Sequence, residues 1–551
     1  MNLRKSIYLI GSFVTYFGLF LLAPLLGLLF MEKESLTNTE LLIQACPFVL
    51  SSLLTLMLGY AIKKFSYDID AQKKELTRKD GFFLASLIWI MAGLLGSLPY
   101  ILSSINILFS TEVFFQPVFI DNVFINSFFE SVSGITTTGA TVFNPFPDIE
   151  KHQLLIFWRS LSQWLGGIGI ILLVLIIFPR ISVGVMQIAT DQEGTGPQKD
   201  RITPRLYETG LTLFYIYLGL TVSLSLLLFG VANLTVYDSI VHTLSTVSSG
   251  GFSSYPLSVE SFSSPIVEAV IVIFMFLSGI SFAIFYFLIT GNYRKILENS
   301  EFKTYVLLNL LVIIFVVFTL DKFYNYESFI ESIRFGVFQS ISLTTGNGFT
   351  SFNFDLWTKH TKFILLIVMI IGGCSGSTTG GIKIIRLLII LKRILIEIKR
   401  RVSPNIISTV KINGKSIDDE IVSGVSSFLF LYLGICLFAP VLIIIFEQSL
   451  LKTTKKRIMT YLFIFINIIL IIATMIYIWK VNNLSIREFK KDSFSSLFNC
   501  PSSINDKYTN LIYVVFSYDI TCISIGLLIA LAMLVASCCV CVLAIMECIC
   551  K

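Results

Sequence analysis

Three short clusters of hydroxyl-bearing residues and glycine recur along the chain: SGITTTGATVF at 133–143, LSTVSSGGFSS at 244–254 and SISLTTGNGFT at 340–350. Aligned without gaps on Gly139, Gly250 and Gly346, every copy carries two hydroxyls immediately before the glycine. These are Thr137 and Thr138, Ser248 and Ser249, and Thr344 and Thr345, with Asn347 following the third glycine. A dehydrated alkali cation needs a cage of uncharged oxygens, which the carbonyls and hydroxyls of an extended strand supply. Glycine serves where the backbone must turn a carbonyl inward with φ and ψ closed to other residues. One such cluster alone reads as an exposed loop. Three in register, each between apolar stretches, point to oxygen-lined strands around one path.

A different cluster, GGCSGSTTGGIK at 372–383, sets Gly372, Gly373, Gly376, Gly380 and Gly381 inside an apolar stretch with Lys383 at its end. Each glycine in a continuous helix costs about 1 kcal/mol relative to alanine, so the helix is expected to break here. The competing reading is a small-residue face for helix packing. A phosphate loop does not fit, since the preceding strand and the Gly-Lys-Ser/Thr order are missing.

The elements that must hold these clusters follow from composition. The 551 residues are 55% hydrophobic and only 14% charged, with a mean hydropathy of +0.82. A soluble domain carries about 25% charged residues, so this chain lacks the polar surface to cover a water-facing globule. Apolar stretches near 6–30, 41–62, 81–103, 154–178, 207–231, 264–290, 304–320, 361–391, 419–446, 458–479 and 511–546 are of the length that crosses a bilayer as helix. The fold class is therefore an all-α polytopic membrane protein. The first stretch lacks a small-residue cleavage site and is expected to be a retained span.

Lys and Arg crowd the loops around 63–79 and 383–415, which places those loops in the cytoplasm. The net charge of +6 thus reads as topology, and loops this short build no basic face for nucleic acid. Outer segments 104–153, 232–263 and 321–360 each hold a short amphipathic stretch before a hydroxyl/glycine cluster. Each is expected to be a re-entrant helix plus a strand, since non-helical backbone at membrane depth survives only beside a water-filled path. Asn126, Asp238 and Ser332 are expected to cap the short helices, whose partly negative C-terminal ends favour a cation between them. Span, re-entrant loop and span repeat around a central cation pore.

The remaining chemistry is sparse. The three histidines, His152, His242 and His360, stand at no metal-ligand spacing. Seven of the ten cysteines lie beyond residue 499, mostly within an apolar run, and read as buried small residues. No convergent acid and base pair marks an enzyme. WLGGIG, with Gly166, Gly167 and Gly169, reads as a packing face. Glu130, inside the first short helix, is open to either a structural or a cation-attracting role. Lys399, Arg400 and Arg401 mark topology, with acidic membrane lipid or a cytoplasmic regulator as possible users.

Six motifs in the same order resemble the TrkH/KtrB branch of the Trk/Ktr/HKT potassium transporters. They are FFESVSGITTTGATVF (128–143), WRSLSQWLGGIGIILLVLIIFPR (158–180), GPQKDRITPR (196–205), STVSSGGFS (245–253), TTGNGF (344–349) and GGCSGSTTGGIK (372–383). The resemblance covers residues 1 to about 446. It implies potassium as the substrate, four span–pore–span repeats and filter glycines at Gly139, Gly250 and Gly346. A glycine in the first loop goes with potassium selectivity, whereas sodium-preferring relatives carry serine there. It also implies that 372–383 is an intramembrane gate ending at Lys383. The expected setting is the cytoplasmic (inner) membrane of a bacterium. A second copy of the chain and a cytoplasmic nucleotide-binding ring of the TrkA/KtrA kind are the expected partners, with no cofactor in this chain. The nucleotide would sit on another polypeptide, because no GxGxxG unit occurs here.

The expected organisation is two N-terminal spans and their loop at 1–79, pore repeats at 80–206, 207–303 and 304–417, and the first span of a fourth repeat at 418–446. Residues 447–551 depart. Simple repetition puts a fourth filter glycine at roughly 450, yet residues 447–457 read EQSLLKTTKKR. Lys452, Lys455, Lys456 and Arg457 would fall outside, against the positive-inside bias. This tail is expected to form two further spans without a filter loop, as a join of unrelated sequence would. A non-conducting member of the family is the corresponding alternative.

Overall fold

The structure is a computed structural model of the chain, and it describes residues 3–29, 38–68, 78–105, 118–119, 122–143, 145–169, 206–323, 328–403, 409–413, 415–417, 419, 421–434 and 436. The chain divides into two units, 1–433 with 543–551 and 434–542. The described residues fall almost wholly in the first. The expectations for the 447–551 tail, its cysteines, a fourth filter loop and the 196–205 motif lie outside them.

Helices dominate the described residues. The strands among the described residues are a two-residue antiparallel pairing, β1 (Lys411–Ile412) with β2 (Lys415–Ser416). Among the described residues, five helical stretches are long and apolar enough to cross a membrane, and a bent pair makes a sixth. The N-terminal pair is α1 (Leu3–Phe20), continued by a 3-10 turn over Ala23–Leu29, and α2 (Asn38–Ser66). A Cβ built on Gly59 would lie 2.7 Å from the backbone nitrogen of Thr15. Glycine thus lets these two helices meet backbone to backbone, as small residues do in lipid.

The three repeats follow one plan. The first is α3 (Arg78–Gly96) with α4 (Leu98–Ser104), then the short α5 (Val123–Ile135), then α6 (Ile149–Gly167). The second is α7 (Leu206–Gly230), the short α8 (Val236–Val247), and α9 (Pro265–Ser278) with α10 (Phe282–Ile289). After α11 (Tyr293–Glu298), the third is α12 (Ser300–Phe323), the short α13 (Phe329–Thr344), and α14 (Lys359–Ile371) with α15 (Ile384–Val402). A last apolar helix, α16, covers Ile421–Gly434. The short helices of 13, 12 and 16 residues reach about 20 Å at 1.5 Å per residue, too short for a core of about 30 Å.

Two expectations are corrected here. The apolar stretch 264–290 is not one straight span, because α9 and α10 meet at 96° across residues 279–281. Composition hides the bend, since both arms are apolar and only Gly279 and Ser281 mark the hinge. The short helices are also capped earlier than Asn126, Asp238 and Ser332. Their N-caps are Asn122, Thr235 and Ser328, and the hydroxyls of Thr235 and Ser328 accept from the Asp238 and Ile330 amides. Asp238 and Ser332 lie inside the first turn instead, where a carboxylate such as that of Asp238 suits the helix dipole.

Candidate functional site: three left-handed loops and a broken helix

The short helices α5, α8 and α13 end in loops with one shared backbone pattern. Left-handed φ occurs at Thr137 and Gly139, at Ser249 and Gly251, and at Gly346 and Gly348. The hydrogen bonds match too, each to a serine carbonyl four positions before its pair. Thr138 N–H and Gly139 N–H donate to Ser133 O, Gly250 N–H to Ser245 O, and Asn347 N–H and Gly348 N–H to Ser342 O. Ser133 and Ser342 hydroxyls then donate seven residues ahead, to Ala140 O and Phe349 O. The structural register is therefore Gly139 with Gly251 and Gly348.

This corrects the gapless alignment on Gly139, Gly250 and Gly346. Gly250 stands with Thr138 and Asn347, and Gly346 stands with Thr137 and Ser249. Gly251 and Gly348 were missed. The usable signal was the residue pair that follows, Gly-Ala-Thr, Gly-Phe-Ser and Gly-Phe-Thr, which a one-residue or two-residue shift brings into line.

Backbone that alternates between right-handed and left-handed φ turns successive peptide groups the same way. Because a trans peptide sets its N–H and C=O antiparallel, amides aimed back at Ser133, Ser245 and Ser342 send the carbonyls of Thr137, Ser249 and Gly346 away from the helix ends. The hydroxyls do less than expected. Those of Thr136, Ser248 and Thr345 fold back onto Val132 O, Leu244 O and Ile341 O. Thr138 pairs with Thr136 at 2.7 Å, and Thr344, still inside α13, bonds Ser340 O.

Each loop also leans on the next. A Cβ built on Gly139 would run into Gly250 O, and one on Gly251 into Asn347 O. Among the described residues nothing lies within 4 Å of a Cβ on Gly348. Side chains fix the same order. Gln163 on α6 donates Nε2 to Gly250 O at 2.7 Å and accepts from Phe252 N at 3.1 Å. Asn347 Nδ2 donates to Thr246 O at 3.0 Å, which ties the third loop to the second helix. The WLGGIG motif packs at these ends. A Cβ on Gly166 would strike Ile135 O, and one on Gly167 would lie 2.6 Å from the Cβ of Ser248.

Behind the first loop lies a sealed ion pair. Arg159 Nε donates to Glu130 Oε1 at 2.7 Å, with side chains 2% and 0% exposed. Glu130 also accepts from Thr141 Oγ1 and Val142 N, while Arg159 Nη1 reaches Ser253 O in the second loop. The guanidinium lies 3.9 Å from the Phe252 ring centroid. Glu130 thus braces loop 1, and its carboxylate is already neutralised by Arg159. In the second repeat Asp238 takes the bracing place, accepting from Ser254 Oγ and Tyr255 OH, and His242 bridges Asp238 O and Ser253 Oγ. Arg159 and Gln163 gave no signal in sequence beyond lying in the WRSLSQWLGG motif.

The glycine-rich segment breaks its helix as expected. α14 stops at Ile371, residues 372–383 are non-helical, and α15 begins at Ile384. Left-handed φ occurs at Gly372, Gly376 and Gly381, and also at Lys383. The segment is pinned at its neck by Ile382 N to Ile370 O, Lys383 N to Ile371 O and Ile384 N to Gly373 O. It docks on the bend between α9 and α10, where Cys374 N donates to Gly279 O and Phe282 N to Gly376 O. A backbone freed by a broken helix needs such partners. Glu301 at the start of α12 accepts from Ser375 N at 2.6 Å. The Lys383 ammonium folds back onto Thr379 O. Gly380 N lies 3.9 Å from a Cβ built on Gly346, so the segment reaches the third loop.

Among the described residues no group of His, Cys, Asp or Glu is placed to hold a metal ion. The oxygens gathered here are uncharged carbonyls and hydroxyls, which suit an alkali cation rather than a divalent one.

Comparisons with known proteins identify relatives of this chain. The family described as TrkH, cation transport protein, matches residues 53–506, a range that runs past residue 446, the expected limit of the resemblance. The Trk system potassium uptake protein TrkH of Vibrio parahaemolyticus is 32% identical over 437 residues, covering 78% of this chain and 84% of that protein. TrkH of Salmonella typhimurium is 35% identical over 363 residues, covering 66% and 71%. The crystal structure of the potassium transporter TrkH from Vibrio parahaemolyticus superposes with a TM-score of 0.66 at 29% identity, covering 81% of this chain and 86% of that one. With apolar spans, repeated short helices and this breadth of match, the chain is an all-α membrane protein and not an enzyme, and it belongs to the TrkH family of cation transport proteins.

Proposed function

We propose that the chain takes up potassium across the cytoplasmic membrane, with the loops after α5, α8 and α13 as walls of its filter. The observation that carries this reading is the repeated backbone: positive, negative, positive φ in three loops, with Gly139 and Gly251 each closed against the next loop's carbonyl. Such alternation presents a column of carbonyl oxygens that replaces a cation's water. The filter residues in this reading are Thr137, Thr138 and Gly139, then Ser249, Gly250 and Gly251, then Gly346, Asn347 and Gly348. Ser248, Thr344 and Thr345 support them from the helix ends.

Residues 372–383 serve as the gate beneath the filter. Gly372, Gly376 and Gly381 give the segment its turns, Gly372 and Gly373 its close contacts, the first against Gly380 O, and Lys383 holds it folded through Thr379 O. Potassium is cargo here, moved down its electrochemical gradient without covalent chemistry. A second copy of the chain, a cytoplasmic nucleotide-binding ring and the surrounding lipid are the partners this reading calls for.

The test is growth of cells stripped of their own potassium uptake on limiting potassium, with the chain and its ring subunit supplied together. Rescue is expected. Failure to rescue favours the second reading, a non-conducting family member. The specific observation behind that alternative is EQSLLKTTKKR at 447–457, standing where a fourth glycine-bearing loop belongs.

A further inference from the structure

The gate segment and the second filter loop share one cluster of three hydroxyls, and the accounting of its protons gives it a direction. Ser249 Oγ lies 3.0 Å from Thr378 Oγ1 and 3.2 Å from Ser278 Oγ, all three buried. Each hydroxyl has one proton to give. Ser278 gives its proton to Met275 O at 2.8 Å, and Thr378 gives its own to Val247 O at 3.0 Å. With those two protons placed on backbone carbonyls, Ser249 is left to donate, and of its two neighbours Thr378 Oγ1 is the nearer, at 3.0 Å against 3.2 Å for Ser278 Oγ.

Ser249 is also where the backbone needs help. It stands with Thr137 and Gly346 at the first left-handed position of its loop, at φ 55°. A residue with a Cβ pays roughly 1 kcal/mol or more for that conformation, whereas glycine, used in the third loop, does not. Thr378 counters the strain by accepting a hydrogen bond from the Ser249 hydroxyl while donating its own to Val247 O, the last helical carbonyl of α8. The bend between α9 and α10 completes the clamp, since Ser278 ends α9 and the Gly279 carbonyl receives Cys374 N.

We propose that Thr378, a residue of the gate segment, is a positioning residue for cation selectivity: its hydroxyl holds Ser249 and so fixes the second filter loop. The inference rests on the filter reading above and goes beyond it. It makes the gate a part of the filter's foundation, so that a change confined to 372–383 alters which cation passes and not only how fast.

The experiment compares potassium-to-sodium permeability ratios of the full chain reconstituted in liposomes. Thr378→Val keeps the shape and loses the hydroxyl. It is expected to lower the ratio several-fold, with Thr378→Ser near wild type. Ser249→Ala attacks the bond from the other side and should lower the ratio similarly, and the double variant should fall no further than either single one. Gly251→Ala serves as the control for the filter itself. A lowered ratio in Gly251→Ala with an unchanged ratio in Thr378→Val overturns this inference and leaves the filter reading standing. An unchanged ratio in Gly251→Ala removes the filter reading and this inference with it. Should Thr378→Val fail to fold, Ser249→Ala decides alone, and an unaltered ratio there is equally fatal.

Discussion

Gly251 lies against the carbonyl oxygen of Asn347 with no space for a Cβ between them. Gly139 stands in the same relation to Gly250, so two successive contacts run from loop one to two and from two to three. The glycine is thus fixed twice, by its left-handed φ and by the neighbour it touches. Gly348 has the first constraint without the second among the described residues.

That difference predicts a graded response to alanine. Gly139→Ala and Gly251→Ala must displace a neighbouring backbone, and both are expected to impair rescue on limiting potassium severely while leaving a flux that liposome assays can read. Gly348→Ala meets only the left-handed strain, about 1–2 kcal/mol, and should retain measurable uptake. Potassium-dependent growth rates of the three variants check this, and equal loss at all three positions would contradict it. Gly139→Ser, which adds the same Cβ, should in any surviving protein lower discrimination of potassium over sodium.

The Glu130 and Arg159 pair gives a second prediction. Both side chains are sealed, and removing one partner of a buried pair leaves an uncompensated charge at a cost of about 3–5 kcal/mol. Arg159→Met, which orphans the carboxylate, and Glu130→Gln, which still accepts from Val142 N but orphans the guanidinium, are therefore each expected to lower thermal stability in detergent. Combining the two should recover part of the loss, because the orphaned carboxylate is gone. Melting temperatures of the four proteins measure this, and strictly additive losses would show that the pair does not act as a unit.

What the sequence made legible, and what it hid, divides along one line. Spans and the helix break at 372–383 were readable because apolar runs and clustered glycines act locally. The loop register was not. Thr137 and Ser249 adopt left-handed φ without being glycine, so an alignment that followed glycines slid by one residue in the second loop and two in the third. Arg159 and Gln163 were hidden for another reason, since their partners Glu130 and Gly250 lie 29 and 87 residues away. The 96° bend at 279–281 escaped because its freed carbonyl is satisfied by Cys374, a contact between repeats that no local pattern encodes.

Glu301 supplies a third prediction, about the gate. Its carboxylate accepts the Ser375 amide at 2.6 Å from a buried position, and bonds to a charged acceptor are roughly twice as strong as neutral ones. Glu301→Gln keeps an acceptor and weakens the bond, while Glu301→Leu removes it. Basal potassium flux in liposomes without any ring subunit is expected to rise in the order wild type, Glu301→Gln, Glu301→Leu. Shortening the segment between Gly376 and Gly380 should raise it as well, since the obstruction itself is reduced. Flux fixed at the wild-type level in all of these would mean that 372–383 packs helices and does not close the path.

The last prediction concerns the tail. In the order set by Gly139 on Gly250 and Gly251 on Asn347, a cation path enclosed on every side needs one more loop against Gly348. The sequence beyond 446 offers EQSLLKTTKKR where that loop is due, although the family match continues to residue 506. A filter with a missing wall holds a cation by fewer carbonyls and discriminates less. Replacing residues 447–551 with the corresponding final repeat of a TrkH relative is therefore expected to raise both potassium uptake and the potassium-to-sodium ratio above those of the native chain. Uptake and ratio equal in the two proteins would show that the native tail already supplies the fourth wall by a sequence unlike the other three. Reading codons 440 to 460 in the alternative frames adds a direct check: a glycine-rich filter motif in another frame marks a join of unrelated sequence, and its absence there argues for a tail that diverged in place.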